Sequence, residues 1–418
     1  MSIRLRPLQS LQEGRWFKLI CGASYQHLPA IRNLALAYGL AGADCIDVAA
    51  DPTVVKAVKE AFKVISSFKD AEKLACRTEI SPPSELPLLM VSFSDGEDPH
   101  FRKAIFDATV CPADCPRPCE SICPASAISF GDAGSGVVED RCYGCGRCLP
   151  VCPIQQIDTV TRATSPQEIA PQLLDAVDAI ELHTQVGRYE SFMSLWSVIQ
   201  PYLSSFSLIS ISCPEHDGAI DYLWRLYEGI QPLSIPLIWQ TDGRPMSGDI
   251  GNGTTHATLK FGQKVLQSGP PGFVQLAGGT NAHTVSKLHQ MEMPNPSCNV
   301  LVSPLRTLAE KLQPTFGGIA YGSFARHLMS PLLDELSLAS LEAASISGNK
   351  QPANHHVLNH LEASPTQLVQ AVQIAQSLVT PLKQAPNTLS IPSLESVKNP
   401  CSRVEAVLPS PSYPSLFE

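Results

Sequence analysis

Short apolar runs alternate with amphipathic stretches along most of the chain, as strands and helices do when they follow one another. The run WFKLICGAS comes first, and CIDVAA is followed by the amphipathic stretch DPTVVKAVKEAFKVISSF. In this stretch Asp51 suits the N-cap of a helix and Pro52 its first position. LPLLMVSFS gives a third strand. Because these strands are apolar on both faces, they predict a parallel sheet covered by helices.

The same alternation returns after an interruption and supplies five more strand and helix units. The strand segments are AIELHT, LISISCPE, LSIPLIWQT and GFVQLAGGT, and the final unit is FGGIAYGSFARHLMSPLL. Three units before the interruption and five after it make eight, which predicts a TIM-type (β/α)8 barrel interrupted after its third strand. A doubly wound open sheet is the alternative, because a count of units from one sequence is uncertain by one or two.

The interruption holds eight of the fourteen cysteines. Its second half, CYGCGRCLPVCP, has the spacing CxxCxxCxxxCP of bacterial ferredoxins, in Cys142, Cys145, Cys148 and Cys152. Three thiolates two residues apart on a tight loop can bind three irons of one cubane, while the fourth reaches a neighbouring cluster. This spacing predicts iron–sulfur ligation.

The first half of the interruption contributes four more cysteines, with three residues in each gap, and ends in the same Cys-Pro pair. Between the halves, ISFGDAGSGVVED predicts a hairpin over residues 128–140 that brings the two loops side by side. The pattern therefore predicts two 4Fe–4S clusters with exchanged fourth ligands. One set is Cys111, Cys115, Cys119 and Cys152, and the other is Cys142, Cys145, Cys148 and Cys123.

Zinc knuckles and a disulfide knot are the alternative interpretations of this block. Zinc sites need two CxxC pairs separated by a longer loop, whereas each run here is continuous. The N-terminus has no apolar signal segment and no stretch approaches ~18 apolar residues, so we expect a soluble cytoplasmic protein without a membrane span. Disulfides are rare in that compartment. The remaining cysteines, which we expect to be inert thiols, are Cys21, Cys45, Cys76, Cys213, Cys298 and Cys401.

Glycine-rich segments follow the predicted seventh and eighth strands, where many barrels bind a phosphate on backbone N–H groups. They predict a site for flavin mononucleotide or another phosphorylated ligand, although ordinary glycine turns are the simpler interpretation. The candidate residues are Gly278, Gly279, Thr280, Asn281, Gly317, Gly318, Gly322 and Ser323. Five polar residues near predicted strand ends could face the same mouth: His183, Arg188, His216, Asp242 and His283.

These predictions divide the chain into four segments. Residues 1–108 and 158–340 form the two parts of the barrel, and residues 109–157 form the ferredoxin-type domain. Residues 341–418 change to Ser, Pro, Ala and Gln, and contain one predicted helix, SPTQLVQAVQIAQSLVTPLK, followed by a flexible tail. The net charge of −9 has no long runs, which argues against nucleic acid as a partner.

A two-cluster cysteine block set in a βα chain with a Pro/Ser-rich end resembles the light-dependent period (LdpA) family of cyanobacteria along its whole length. The specific part of the resemblance is the eight clustered cysteines. The resemblance implies an iron–sulfur redox sensor that reports light input to the circadian clock through the Kai proteins and the sensor kinase CikA. The widened gaps of the first cysteine run depart from the general ferredoxin pattern.

Two functions remain open on the residues alone. In the first, the clusters sense redox state and the output is a change in partner binding, without catalysis; the sequence favours this one. In the second, an oxidoreductase passes electrons from the clusters to a flavin or other phosphorylated ligand in the barrel. Quinones or ferredoxin-like proteins are candidate electron carriers for either.

Overall fold

Eight parallel strands close into a barrel. The computed structural model describes residues 7–70, 83–96, 102–123, 125–131, 134–161, 166–244, 251, 253–291, 313–347 and 360–384. The strands are β1 Trp16–Gly22, β2 Cys45–Ala49, β3 Leu88–Ser94, β4 Arg102–Ile105, β5 Ile128–Gly131, β6 Gly134–Val137, β7 Asp158–Thr161, β8 Ala179–His183, β9 Leu208–Pro214, β10 Leu237–Asp242, β11 Phe273–Ala277 and β12 Thr315–Tyr321. The barrel order is β1-β2-β3-β8-β9-β10-β11-β12, and β12 pairs with β1. The predicted barrel is confirmed and the open sheet is wrong.

Helices alternate with the barrel strands. The helices of the described residues are α1 Pro7–Gln12, α2 Leu28–Ala41, α3 Pro52–Asp70, α4 Pro118–Ser121, α5 Pro166–Leu173, α6 Tyr189–Ile199, α7 Ala219–Gly229, α8 Thr255–Ser268, α9 Thr284–Gln290, α10 Ser323–Ser347 and α11 Pro365–Lys383. Of these, α4 lies in the inserted module and the others belong to the barrel. The predicted cap of α3 is confirmed, because Asp51 Oδ1 accepts a hydrogen bond from the N–H of Thr53 at 2.7 Å.

The predicted C-terminal helix, α11, packs on α2 and α10. An ion pair between Arg32 of α2 and Glu362, just before α11, fixes one end, and an ion pair between Lys383 and Asp44 fixes the other. Both pairs are largely buried, so α11 is an integral part of the barrel's outer layer. The predicted flexible tail beyond it lies outside the described residues.

The bottom of the barrel, where the strands begin, is filled by an apolar cluster. Leu11 of α1 packs there with Trp16, Met90, Leu208 and Ile238. Because this end is closed by packed side chains, the open end is the one where the strands finish, as in other barrels of this class.

The predicted insertion after the third barrel strand is confirmed. Between β3 and β8 the chain forms an antiparallel stem, β4 with β7, and a hairpin, β5 with β6, which is the predicted hairpin. One cysteine run lies between β4 and β5 and the other between β6 and β7, and apolar residues of the module form a small core of their own. The four segment boundaries inferred from the sequence stay predictions. No helix in the described part of the chain is long and apolar enough to cross a membrane.

Candidate functional site

The eight clustered cysteines divide into two groups by the exchange that the spacing predicts. In the first group, the thiols of Cys115 and Cys152 are close enough to Cys111 to act with burial in raising its pKa. Burial raises the pKa of Cys119 too, and Cys152 and Cys111 add to that rise. Cys152, from the second run, is therefore a neighbour of the first-run thiols.

The second group surrounds a cavity inside the inserted module. Cys142, Cys145 and Cys148 line it together with Cys123 from the first run. Burial, followed by these three neighbouring thiols, raises the pKa of Cys148 to about 12. Four thiolates can share such a space only if a cation neutralises their charge, which is the role that iron has in a cluster.

Within the described ranges, no group of three Cys, His, Asp or Glu side chains is placed to hold a single metal ion. Every described cysteine is a free thiol. Three isolated ones, Cys21, Cys45 and Cys213, are buried with raised pKa values caused by burial, as expected of inert thiols. Cys76, Cys298 and Cys401 lie outside the described residues.

Backbone N–H groups point at sulfur in both groups. Ala104 donates to Cys142 Sγ at 3.3 Å, and Ala127 donates to Cys123 Sγ at 3.2 Å. Burial acts to raise the pKa of Cys152, but N–H groups that include those of Gln156 and Ile154 outweigh it and lower that pKa. Such bonds stabilise thiolates and tune the potential of a cluster that they ligate.

Tyr143, between two cysteines of the second group, joins the module to the barrel. Its side chain is 5% exposed and lines both the cysteine cavity and a second cavity at the barrel mouth. The Tyr25 ring packs edge-on against it with centroids 6.0 Å apart, and the Arg326 guanidinium lies 4.1 Å from its centroid. Tyr25 follows β1 and Arg326 is in α10. One residue of the cysteine loop thus contacts the first and last units of the barrel.

A second contact lies beside the first. Lys103 of β4 is 1% exposed, and its Nζ donates to Gln26 Oε1 at 2.9 Å and to the carbonyl of Glu139 at 2.6 Å. The N–H of Gln26 donates to the carbonyl of Asp140 at 3.1 Å. The loop between β1 and α2 is therefore held directly by the segment that precedes Cys142.

The barrel mouth is an open cavity of about 690 Å³. Five of the predicted glycine-segment residues line it, namely Gly278, Gly279, Thr280, Gly322 and Ser323. His183 and Asp242 line it as well, in line with their predicted positions at strand ends. Other lining residues are Asp47, Glu181, Gln240, Arg244 and Arg326.

Gly317 and Gly318 were expected at the mouth, and that placement is wrong. Both lie within β12, and Tyr321, at the strand's end, is about 10 Å further along from Gly318 at ~3.3 Å per residue. A Cβ on Gly318 would come within 2.0 Å of the Trp16 carbonyl oxygen, and one on Gly317 within 2.8 Å of Leu11. These glycines allow β12 to pack against β1 and α1.

Asn281 was expected to bind a ligand, but its side chain serves the loop itself. Its amide nitrogen donates to the carbonyl of Gly251 at 2.9 Å, and its Oδ1 accepts from the N–H of His283 at 2.9 Å. Gly279 has a packing reason as well, because a Cβ there would stand 2.9 Å from the Thr254 carbonyl oxygen. Only the backbone of this segment is left to face the cavity.

Three other predicted polar residues stand outside the mouth. Arg188 lies 3.5 Å from a carboxylate oxygen of Asp95. His216 is exposed, and its Nδ1 accepts a hydrogen bond from the N–H of Gly218 at 3.0 Å. His283 is exposed at the start of α9. The structure brings His183 and Asp242 together and leaves these three apart.

A network of buried charged side chains lies beneath the mouth, and the sequence patterns did not identify it. Lys18 of β1 is fully buried and pairs with Glu181 of β8, and its Nζ lies 3.8 Å from Asp47 of β2. Glu181 also accepts from Ser210 at 2.7 Å and from Gln240 at 2.9 Å. The signal was present in the sequence, since each charge interrupts an otherwise apolar strand segment.

The network shifts the pKa values of its members in different directions. Burial, with Glu181 close by, raises the pKa of Asp47 to about 6, although Lys18 acts to lower it. Burial acts to raise the pKa of Glu181, but Lys18 and His183 outweigh it and hold that pKa well below its usual range. Burial acts to lower the pKa of Lys18, but Glu181 and Asp47 outweigh it and raise that pKa.

The fold and these sites define a βα-barrel protein with an inserted ferredoxin-type cysteine module. The model of the LdpA Fe-S cluster-binding domain matches residues 111–163, and that of the light dependent period A C-terminal domain matches residues 173–381. Light dependent period A of Synechococcus elongatus is 48% identical over 93% of this chain and 97% of its own. The chain therefore belongs to the LdpA family and is an iron–sulfur protein.

Two further relatives match a short part of the chain. Electron transport protein HydN of Escherichia coli K12 is 38% identical over 14% of this chain and 33% of its own length. An uncharacterized ferredoxin of Methanocaldococcus jannaschii is 42% identical over 12% of this chain and 29% of its own. These matches add to the likeness between the module and ferredoxins.

Proposed function

We propose that the protein is a redox sensor that carries two 4Fe–4S clusters and reports their state through a change in partner binding. The clusters take the two exchanged sets of ligands described above. The name of its relative, light dependent period A, supports an output in light-dependent period control. The Kai proteins and CikA are the partners that we propose from the family resemblance. The cytoplasm is the proposed location.

The observation that carries this proposal is the position of Tyr143. Its ring is held between Tyr25 and Arg326, while the residues on either side of it in the loop are Cys142 and Gly144. Any change in the charge or integrity of the second cluster moves the loop that carries this ring. Arg326 in turn donates to the carbonyls of Ile20 and Cys21, at the end of β1.

The contact is large enough to transmit a functional signal. A cation–π contact at a buried site is worth about 2 kcal/mol, and an aromatic pair adds about 0.5–1.5 kcal/mol. A coupling of about 1–3 kcal/mol changes partner affinity roughly 5- to 150-fold. A partner that contacts the loop between β1 and α2 would therefore discriminate between cluster states.

The test compares partner binding by reduced, oxidised and apo protein, and by a Tyr143→Ala variant with intact clusters. Affinity for a Kai protein or CikA should differ between the states of the wild-type protein and become uniform in the variant. Equal affinity of all three wild-type states would exclude the sensor.

An oxidoreductase is the second candidate, favoured by the wall that the two cavities share. Tyr143 separates the second cysteine group from a mouth that could hold a flavin or other phosphorylated ligand near the backbone of Gly278–Thr280 and Gly322. Electrons could then pass from that cluster into the barrel. Flavin released on denaturation of the purified protein, in a one-to-one ratio, would support this function, and holo protein without flavin would favour the sensor.

A further inference from the structure

Three large apolar side chains are exposed on the inserted module. Ile105 is 51% exposed, Val110 59% and Ile154 42%. Exposed hydrophobic residues that occur singly need no explanation, but those that gather on one small module indicate a contact surface. We call these three residues the module patch.

The module patch surrounds the first cysteine group. Val110 directly precedes Cys111, and Ile154 follows Cys152 by two residues, with its N–H on that sulfur. Ile105 ends β4, the strand that leads into the same segment. The segment before Cys111 and the segment after Cys152 are held together, because the Gln156 side chain donates a hydrogen bond to the carbonyl of Asp107 at 2.7 Å.

The two cysteine groups differ in their access to solvent. Three cysteines of the first group are half-buried at the module surface and only Cys119 is buried, whereas the second group has two half-buried and two buried cysteines. The second group is shielded on one side by Tyr143, which is packed into the barrel. A protein that exchanges electrons with the module therefore reaches the first group by the shorter route.

The rim of the module patch is acidic. Asp107, Asp114 and Asp158 are exposed around it, and Asp158 stands opposite Ile105 in the stem. The hydroxyl and the N–H of Thr109 lower the pKa of Asp107, which keeps that carboxylate charged. The nearby cation Arg117 lies over the Phe130 ring, with its Cζ 4.5 Å from the centroid. An apolar centre with a negative rim is complementary to an apolar face with a positive rim.

We propose that the module patch docks an electron-transfer protein that presents a small apolar face rimmed by lysine and arginine, and that electrons enter or leave through the first cluster. The inference rests on the proposed clusters and names the partner class that serves them. Each event moves one electron between the first cluster and the partner's redox centre, and no bond forms or breaks. Weak redox encounters use small interfaces of this kind.

The probe is ferric cytochrome c, which has lysines around its haem edge. Oxidised plant-type ferredoxin, which is acidic, is the control probe of opposite charge. The reduced protein should transfer electrons to cytochrome c with a rate constant that falls roughly tenfold or more between about 20 mM and about 200 mM ionic strength, as charges become screened. Transfer to the acidic probe should rise with salt or stay slow.

Variants then locate the docking site. Val110→Ser with Ile154→Ser should slow transfer to cytochrome c, and Asp107→Asn with Asp114→Asn should slow it at low salt and flatten its salt dependence. Trp224→Ser with Glu190→Gln, which changes an exposed aromatic residue and an exposed carboxylate on barrel helices, is the matched control and should leave the rate unchanged.

Iron content and the visible cluster band are measured on every variant before kinetics, so that cluster loss is separated from loss of docking. Wild-type protein without iron–sulfur clusters would overturn the proposed function and this inference together. Intact clusters with unchanged rates in both patch variants would overturn the docking site alone. Self-association of the wild type that Ile154→Ser abolishes would assign the patch to a second copy of the chain, and would overturn it as well.

Discussion

Tyr143 is the residue at which the two halves of the molecule meet. Its ring makes an edge-on aromatic contact with Tyr25 and a cation–π contact with Arg326. Burial raises the pKa of its hydroxyl to about 12, although a side-chain hydrogen bond with Arg326 acts to lower it, so the phenol is neutral at physiological pH. The contact with the barrel therefore uses the ring and the hydroxyl.

Two substitutions of Tyr143 should distinguish the contribution of its ring to stability from that of its hydroxyl. Tyr143→Phe is expected to lose only about 1 kcal/mol, because the hydrogen bond with Arg326 is removed and the ring stays. Tyr143→Ala is expected to lose about 3 kcal/mol, because a buried aromatic side chain is removed. Chemical unfolding, followed by near-UV circular dichroism, measures the free energy of unfolding of both variants. Equal stability of Tyr143→Ala and wild type would show that the ring does not hold the module on the barrel.

Asp47 should make stability depend on pH in an unusual direction. Its pKa is raised to about 6 in the folded protein by burial, above the usual value of an aspartate, so the folded state holds the proton more tightly than the unfolded state. Its contribution to stability is therefore present at low pH and lost as the pH rises through about 6. The buried Lys18–Glu181 pair acts in the opposite sense, because the pKa of Glu181 is lowered.

Asp47→Asn tests this assignment, since asparagine resembles the protonated carboxyl. The variant should be more stable than the wild type by on the order of 3 kcal/mol at about pH 8, and by about half of that at about pH 5. Glu181→Gln should lose about 3–5 kcal/mol at both, because Lys18 is left buried with one distant partner. Thermal unfolding at the two pH values gives both comparisons, and a destabilised Asp47→Asn at the higher pH would contradict the assignment.

At the scale of elements, the proposed clusters exchange the last cysteine of the two runs. Cys152→Ser should therefore damage the cluster held by Cys111, Cys115 and Cys119, and Cys123→Ser should damage the cluster held by the second run. Electron paramagnetic resonance of the reduced variants distinguishes the two clusters. If each run loses its own cluster on substitution of its own last cysteine, the exchange is wrong.

The glycines of β12 serve packing, and a pair of substitutions shows this. Gly318→Ala places a Cβ against the Trp16 carbonyl and should destabilise the barrel by about 1–3 kcal/mol. Gly322→Ala is the control, since its Cβ would meet Ile20 and Arg326 at ordinary contact distances of 3.7 and 3.8 Å. Similar losses in the two variants would mean that close strand contact is not the reason for Gly318.

The strand and helix alternation and the cysteine spacing are local signals, and they were sufficient for the barrel, for the point of insertion and for the C-terminal helix. Gly317 and Gly318 were misplaced because the end of β12 cannot be read to within three residues from its apolar run. The contact of Tyr143 with Arg326 joins residues far apart in the chain, and no local pattern reports it. Lys18 was overlooked because a charge in an apolar strand is read as exposed, whereas the barrel interior pairs it.

At the scale of the whole molecule, the inserted module and the barrel form one path. Three cysteines of the first group are half-buried at the module surface, the second group lines a cavity with Tyr143, and Tyr143 contacts Tyr25 and Arg326 of the barrel. We propose that electrons exchange at the module surface and that the barrel mouth responds. The central claim is that the state of the clusters is transmitted along this path.

Hydrogen exchange of the barrel segments that contact Tyr143 tests this claim most directly. Peptides covering residues 22–30 and 322–330 are compared in reduced, oxidised and apo protein, for the wild type and for Tyr143→Ala. The account predicts that these peptides exchange more slowly in one cluster state than in the others in the wild type, and alike in every state of the variant, while peptides from α7 do not change. Identical exchange of both segments in all three states of the wild-type protein would contradict it.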